Sequence, residues 1–359
     1  MKASLFPTIE ERVQLFKQYY KMELSRPLLG FFLGSEYPLH RYPASQGLPV
    51  NRALVPEDFP VDEYVRDSQQ LFERHEACGG DFIWSGSAVW GIPWLEAALG
   101  CPIIADHTTG SISSRKPASF VGPGSIPSFS TENPWVVKTR EFLEKLAEGS
   151  GGRWPIGTTR MRGIADLLMA LYGSEEFLFV MLEKGDEVRE VCKRLTDFWI
   201  AYAQFQLELI PLFHGGVGSF YYNMWAPAGT VWHQEDATAL MSPGLYEDFI
   251  LPWDQKIVES LPGCIVHQHS IGYIPTEHYL DMGVLALEMH IDAGGPSARE
   301  LAEVHRSILG SRPLLIWGKM TAEDLDWIFS QLPTNGLAVQ QVVSSPKEAH
   351  QIYRRYMNC

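Results

Sequence analysis

The feature that most restricts this chain is an alternation. Short apolar runs recur along it, and amphipathic segments with helix-start signals stand between them. Eight runs can be read, at residues 28–33, 81–84, 154–159, 217–222, 264–268, 284–289, 314–317 and 337–341. Each is short and mostly apolar without strict alternation, the pattern of a strand buried on both faces. The segments between them carry their own punctuation. Thr8 with Glu11 forms a capping box opening a helix toward Met22. A helix from about Asp62 places Tyr64, Val65, Ser68, Leu71, Phe72 and His75 at helical spacing, and Gly79-Gly80 ends it. Asn133-Pro134, Asp186, Ser242-Pro243 and Ser345-Pro346 mark further helix starts.

Doubly buried strands joined by helices make a parallel sheet, and eight of them predict an α/β chain closed into a (β/α)8 TIM-type barrel. The expectation is a single domain over residues 1–359 with an N-terminal helical segment. A doubly wound open sheet would place a G-x-G-x-x-G turn after an early strand, and none stands there. Residues 108–133, rich in Ser, Pro and Gly, read as a long loop over a rigid scaffold.

Charge and cysteine usage narrow the function classes. The chain has 29 Lys+Arg against 43 Asp+Glu, a net charge of −14. That balance repels phosphate backbones and anionic lipid, so neither nucleic acid nor a membrane surface is expected as a partner. No 18-residue apolar run exists, and Glu10 and Glu11 are reached before any apolar region could form, so neither a membrane span nor a signal peptide is expected. Cys78, Cys101, Cys192, Cys264 and Cys359 are an odd, scattered set without C-x-x-C, which predicts a reduced cytoplasmic protein with buried free thiols.

In a barrel, chemistry sits at the C-terminal ends of strands. Val266-His267-Gln268-His269 ends the fifth run, and Glu288 and His290 end the sixth. Strand alternation puts His267 and His269 on one face and Glu288 and His290 on one face of the neighbour. Two histidines at i, i+2 and a carboxylate from the next strand can supply three ligands to a zinc-like ion, leaving a position open. Whether Glu288 or His290 is the third ligand stays open, and a hydrogen-bonded core histidine gives the same pattern. A second cluster, Tyr221, Tyr222, Asn223, Trp225, Trp232, His233, Gln234, Glu235 and Asp236, mixes aromatic walls with acid/base groups, and Trp84 follows the second run. Arg160 and Arg162, at a strand-to-helix turn, suit an anionic group of a substrate, or are simply solvated. No G-x-S-x-G, Walker loop or C-x-x-C supports a nucleophilic serine or cysteine.

At these residues the chain resembles the uroporphyrinogen decarboxylase superfamily, which holds porphyrinogen decarboxylases and zinc-dependent, corrinoid-linked methyltransferases. Gly80-Asp81-Phe82, then Pro93-Trp94-Leu95-Glu96-Ala97 and Leu99-Gly100-Cys101-Pro102, are similar to its second unit. So are Glu235-Asp236, Met241-Ser242-Pro243 and Leu251-Pro252 to a later stretch. His267 ahead of Gly272 resembles the His-x-Cys/Asp-Gly strand end, Leu287-Glu288 the next one, and Trp317-Gly318-Lys319-Met320 a Gly-Asn-(Ile/Met)-Asp turn. The departures matter. Arg26-Pro27 is present, but Gly34-Ser35-Glu36-Tyr37-Pro38 replaces the arginine-bearing segment that grips a tetrapyrrole's carboxylates, so uroporphyrinogen itself is not the expected substrate. His269 stands at the first zinc-ligating Cys position, and Val339-Gln340-Gln341 where the second is expected.

The resemblance thus implies methyl transfer between a corrinoid on a partner protein and a small molecule. In that picture His267, His269 and Glu288 hold the metal, without the usual thiolates. Asp236, Tyr222 and His267 give acid/base or hydrogen-bonding help, while Trp84 and Trp225 wall the substrate. The alternatives are a metal-independent decarboxylase or lyase gripping a small carboxylated substrate with Arg160 and Arg162, and a ligand-binding homologue without turnover.

Overall fold

The computed structural model describes residues 5–357. Its strands, in chain order, are β1 Leu28–Leu33, β2 Ile103–Asp106, β3 Ser111–Ser114, β4 Met161–Arg162, β5 Gly216–Gly218, β6 Trp225–Pro227, β7 Thr230–Gln234, β8 Gly263–His269, β9 Ala286–Ile291, β10 Leu314–Gly318 and β11 Leu337–Val343. Seven form one parallel sheet in the order β1-β11-β10-β9-β8-β7-β4. The remaining arc is irregular but hydrogen-bonded. Asp81 N–H donates to Leu29 O at 2.9 Å, and Gly86 forms a parallel bridge with Ile156 a few residues ahead of β4. The sheet therefore closes on itself, and the fold is a (β/α) barrel with an N-terminal helical extension, as the alternation predicted.

The ring is apolar on both sides because the strands are: β1, Leu-Leu-Gly-Phe-Phe-Leu, and β10, Leu-Leu-Ile-Trp-Gly, are buried almost throughout. Gly30 is required by close approach, since a Cβ there would lie 2.1 Å from the Phe82 ring. The N-terminal helix α1 (Ile9–Tyr20) starts at the expected capping box, with Thr8 N–H on Glu11 Oε2 at 2.7 Å, and it buries Val13, Phe16 and Tyr19. No helix among the described residues is long and apolar enough to cross a membrane.

Three expectations are corrected. Residues 81–84 are extended but not a regular strand, and in 154–159 only bridging contacts form, the strand proper being Met161–Arg162. The run 217–222 does not enter the sheet. Gly216–Gly218 pairs antiparallel with Trp225–Pro227 instead, through a turn that needs positive φ at Asn223 (53°). The barrel strand of this unit is Thr230–Gln234, missed because its last two residues are His233 and Gln234, which cut the apolar run short. The expected 108–133 loop also contains β3, paired with β2. Cys78, Cys101, Cys192 and Cys264 are buried free thiols, whereas Cys359 lies outside the described residues.

Candidate metal centre and cavity

Alternation on β8 sends His267 and His269 to one side, where both meet Asp236, two residues past the end of β7. Asp236 Oδ1 lies 3.5 Å from His267 Nε2 and 3.6 Å from His269 Nε2. That oxygen is buried and has no hydrogen-bond partner. Behind each imidazole stands a second carboxylate. His267 Nδ1 meets Glu288 Oε2, and the Tyr222 hydroxyl sits 2.7 Å from the same nitrogen and donates to Glu288 Oε2 at 3.2 Å. His269 Nδ1 meets Asp292 Oδ1 at 2.7 Å, and Asp292 Oδ2 accepts from Ser270 N–H and its hydroxyl at 2.9 and 3.0 Å. With both Nδ1 atoms engaged by carboxylates behind them, both Nε2 atoms face Asp236.

The fold does not bring the three expected ligands onto one face. Glu288 does not share the face of the Nε2 atoms; it holds the opposite ring nitrogen of His267. His290 lines the same cavity but packs on Trp317, ring centroids 4.5 Å apart. Asp292, which the sequence reading missed, was accessible through the spacing Glu288, His290, Asp292 at i, i+2, i+4 along and just beyond β9.

Asp236 is itself held in place from the backbone. Arg162 bonds Asp166 (Nε to Oδ2, 3.1 Å) and Glu96 (3.1 Å), while Asp166 Oδ1 accepts from Ala237 N–H at 2.8 Å. Gln234 Nε2 donates to Asp236 Oδ2 at 2.5 Å. Arg162 is thus committed to two buried carboxylates, and it is not positioned to receive a substrate. Burial would raise the Asp236 carboxyl, but His267, Arg162 and His269 outweigh it and hold it below the usual range. Burial likewise opposes the charged form of His269, yet the Asp292 hydrogen bond and the Asp236 charge lift its pKa to about 9. Burial pushes Glu288 up against the pull of His267, and it pushes His290 down to about 3, helped by His267.

This centre opens into a cavity with about 850 Å³ of empty space, part of it continuous with solvent. Its walls include Tyr37, Trp90, Arg160, Tyr221 and Tyr222. Trp84 and Trp225 do not wall it. Trp84 packs edge-on to Trp154 at 5.2 Å, and the Trp225 indole donates to Phe213 O at 2.8 Å under Lys17. Of the expected residues, the fold brings Asp236, Tyr222, His267, His269, Glu288 and Arg160 to one place, and it leaves Arg162, Trp84 and Trp225 in the scaffold.

No protein-family model matches the chain, and no curated protein matches it by sequence. Among solved structures it is similar to a methyltransferase from Methanosarcina mazei, with a TM-score of 0.60 at 15% identity over 90% of this chain and 100% of that one. At that identity the likeness speaks for the fold alone, which is that of the (β/α) barrel described above. Pyruvate carboxylase from Rhizobium etli aligns over 93% of this chain but 25% of its own, with 12% identity and a TM-score of 0.37, too low to carry an argument.

Proposed function

We propose that this chain is a metal-assisted methyltransferase that moves a methyl group between a corrinoid carried by a partner protein and a small molecule in the cavity. The observation that carries the metal half is the buried, unpartnered Asp236 Oδ1 facing two Nε2 atoms, each imidazole backed by its own carboxylate. Separations near 3.5 Å suit three ligands around an ion with bonds of about 2.0–2.2 Å, and carboxylates behind ligating histidines are the usual means of fixing them. The residues present therefore fit a divalent cation of the zinc type, held by Asp236, His267 and His269 without thiolate. When bound, such an ion supplies Lewis-acid polarisation of a substrate heteroatom.

The chain's own residues do the rest. Glu288 and Tyr222 fix the ring of His267, Asp292 fixes that of His269, and Trp90 and Tyr221 shape an apolar wall. The methyl-transfer half rests on the superfamily resemblance, and a cytoplasmic, single-domain enzyme is part of the same reading. A decarboxylase gripping its substrate between Arg160 and Arg162 is disfavoured because Glu96 and Asp166 occupy Arg162.

The test is metal content of protein purified without added metal, for wild type and Asp236→Asn, followed by cobalt absorbance with a corrinoid protein and a range of methyl donors. One equivalent of metal in wild type, lost in the variant, is expected, together with a donor-dependent change in the cobalt spectrum. Wild type that binds no metal even after zinc addition sinks the metal half. An unchanged spectrum across donors sinks the transfer half.

A further inference from the structure

The cavity holds a cation that makes no ion pair among the described residues. Arg160, immediately before β4, lines the wall beside Asp236 and His269. Among the described residues no carboxylate lies within ion-pair distance of its guanidinium, which makes no hydrogen bond, and its Nε is buried without a partner. Glu96 and Asp166, the acidic neighbours, are taken by Arg162. Asp236 is turned toward the histidines. A second donor in the same wall is also unused: the Trp90 indole Nε1 is buried with no acceptor. Burial weakens the charged form of Arg160 and the nearby charge of Arg162 adds to that, while Glu96, Asp236 and Asp166 act in the opposite direction without making an ion pair with it.

From these two donors we infer that the cavity binds a substrate carrying a carboxylate, seated on the Arg160 guanidinium with help from the Trp90 N–H. The remainder of the molecule lies against Tyr221 and Trp90 and its reacting end points at Asp236, His267 and His269. A planar guanidinium matches a carboxylate through two parallel N–H···O bonds, which a neutral amide cannot reproduce. The other acidic group on the wall, Glu36, has its carboxyl raised by burial, with Lys319 offsetting part of that. The inference names the substrate class for the site proposed above and rests on that site only for which end of the substrate reacts.

The experiment measures binding by calorimetry of acetate, butyrate, methoxyacetate and benzoate, each against its own primary amide, to wild type and Arg160→Gln, with metal content determined on the same samples. At least one carboxylate should bind wild type tenfold or more tighter than its amide, and Arg160→Gln should abolish that preference while keeping its metal. Arg160→Lys, which keeps the charge without the fork, should retain part of it and reports on folding. The inference is overturned when no carboxylate is preferred over its amide, or when Arg160→Gln keeps the preference. Carboxylate preference in a protein without bound metal would uphold this inference while removing the metal half of the proposed function.

Discussion

Two clusters in this molecule offer three ligating groups each at nearly the same spacing, and they lie on opposite faces of the same strand end. The inner one is Asp236, His267 and His269; the outer one is His233, Glu235 and Asp254. In the outer cluster His233 Nε2 stands 3.5 Å from Glu235 Oε1 and 3.6 Å from Asp254 Oδ1, almost the inner distances. What surrounds them differs. Glu235 also accepts from Ile164 and Ala165 N–H at 2.5 and 3.0 Å, capping the helix Ile164–Tyr172, and Asp254 accepts from the Tyr246 hydroxyl at 2.9 Å. All three side chains are sealed between sheet and helices, with neither ring nitrogen of His233 oriented by a carboxylate hydrogen bond. A Cβ on Gly163 would lie 2.1 Å from Glu235 Oε1, so backbone presses directly on the cluster. The inner cluster has oriented histidines and an adjoining cavity. Ligand count and spacing therefore do not separate the two clusters, whereas the groups behind the ligands do.

The comparison can be broken most forcefully at Asp254. Asp254→Ala leaves the buried Tyr246 hydroxyl without its acceptor, so unfolding free energy by urea should fall by about 1–3 kcal/mol, with metal content of the folded fraction unchanged. Loss of metal from folded Asp254→Ala would make the outer cluster an ion site as well. A second effect sharpens the inner side. Asp292→Asn leaves all three ligands but loosens His269, and competition with a chromophoric chelator should show metal affinity down about 10–100-fold. An unchanged affinity would mean that the carboxylate behind His269 does not position it.

A third expected effect is on pH dependence. Burial and the Asp166 charge push the Glu235 carboxyl up to about 8, and burial and Glu235 push Asp254 well above its ordinary range. The unfolded Glu235 carboxyl releases its proton near 4.5, so between 4.5 and about 8 the folded state holds the extra proton. Stability should therefore decline as pH rises across that window, and Glu235→Gln should flatten the decline in urea titrations run from pH 5 to 8. A wild-type curve that rises over the same range would show the outer cluster ionised, as a metal-bound carboxylate is.

Much of the barrel was legible because its signal is local. A doubly buried strand is apolar over most of its length, so β1, β8, β9, β10 and β11 announce themselves, and α1 carries its own start in Thr8 and Glu11. β7 was hidden by the outer cluster itself: His233 sits at an outward, buried position that an apolar count excludes. The hairpin Gly216–Gly218 with Trp225–Pro227 looked like a strand of the ring because apolar content does not reveal which edge a segment pairs with. Among site residues, the i, i+2 spacing of His267 and His269 put both on one face without help from tertiary structure.

Which carboxylate those histidines face was a different kind of question. Glu288 is on the adjacent strand, and Asp236 lies in the turn after β7; sequence spacing treats them alike. Only the packed barrel decides that Glu288 stands behind His267 and Asp236 in front, because the pleat fixes the side of the sheet and the ring's curvature fixes which nitrogen each carboxylate reaches. The two arginines were separated in the same way. Arg160 and Arg162 are equivalent in the sequence, but the fold brings Glu96 from 66 residues away to pair with Arg162 and leaves Arg160 its charge. Local periodicity is set by backbone geometry and is written residue by residue. The pairing of charges depends on which distant groups share a small volume, and that is decided when the ring closes.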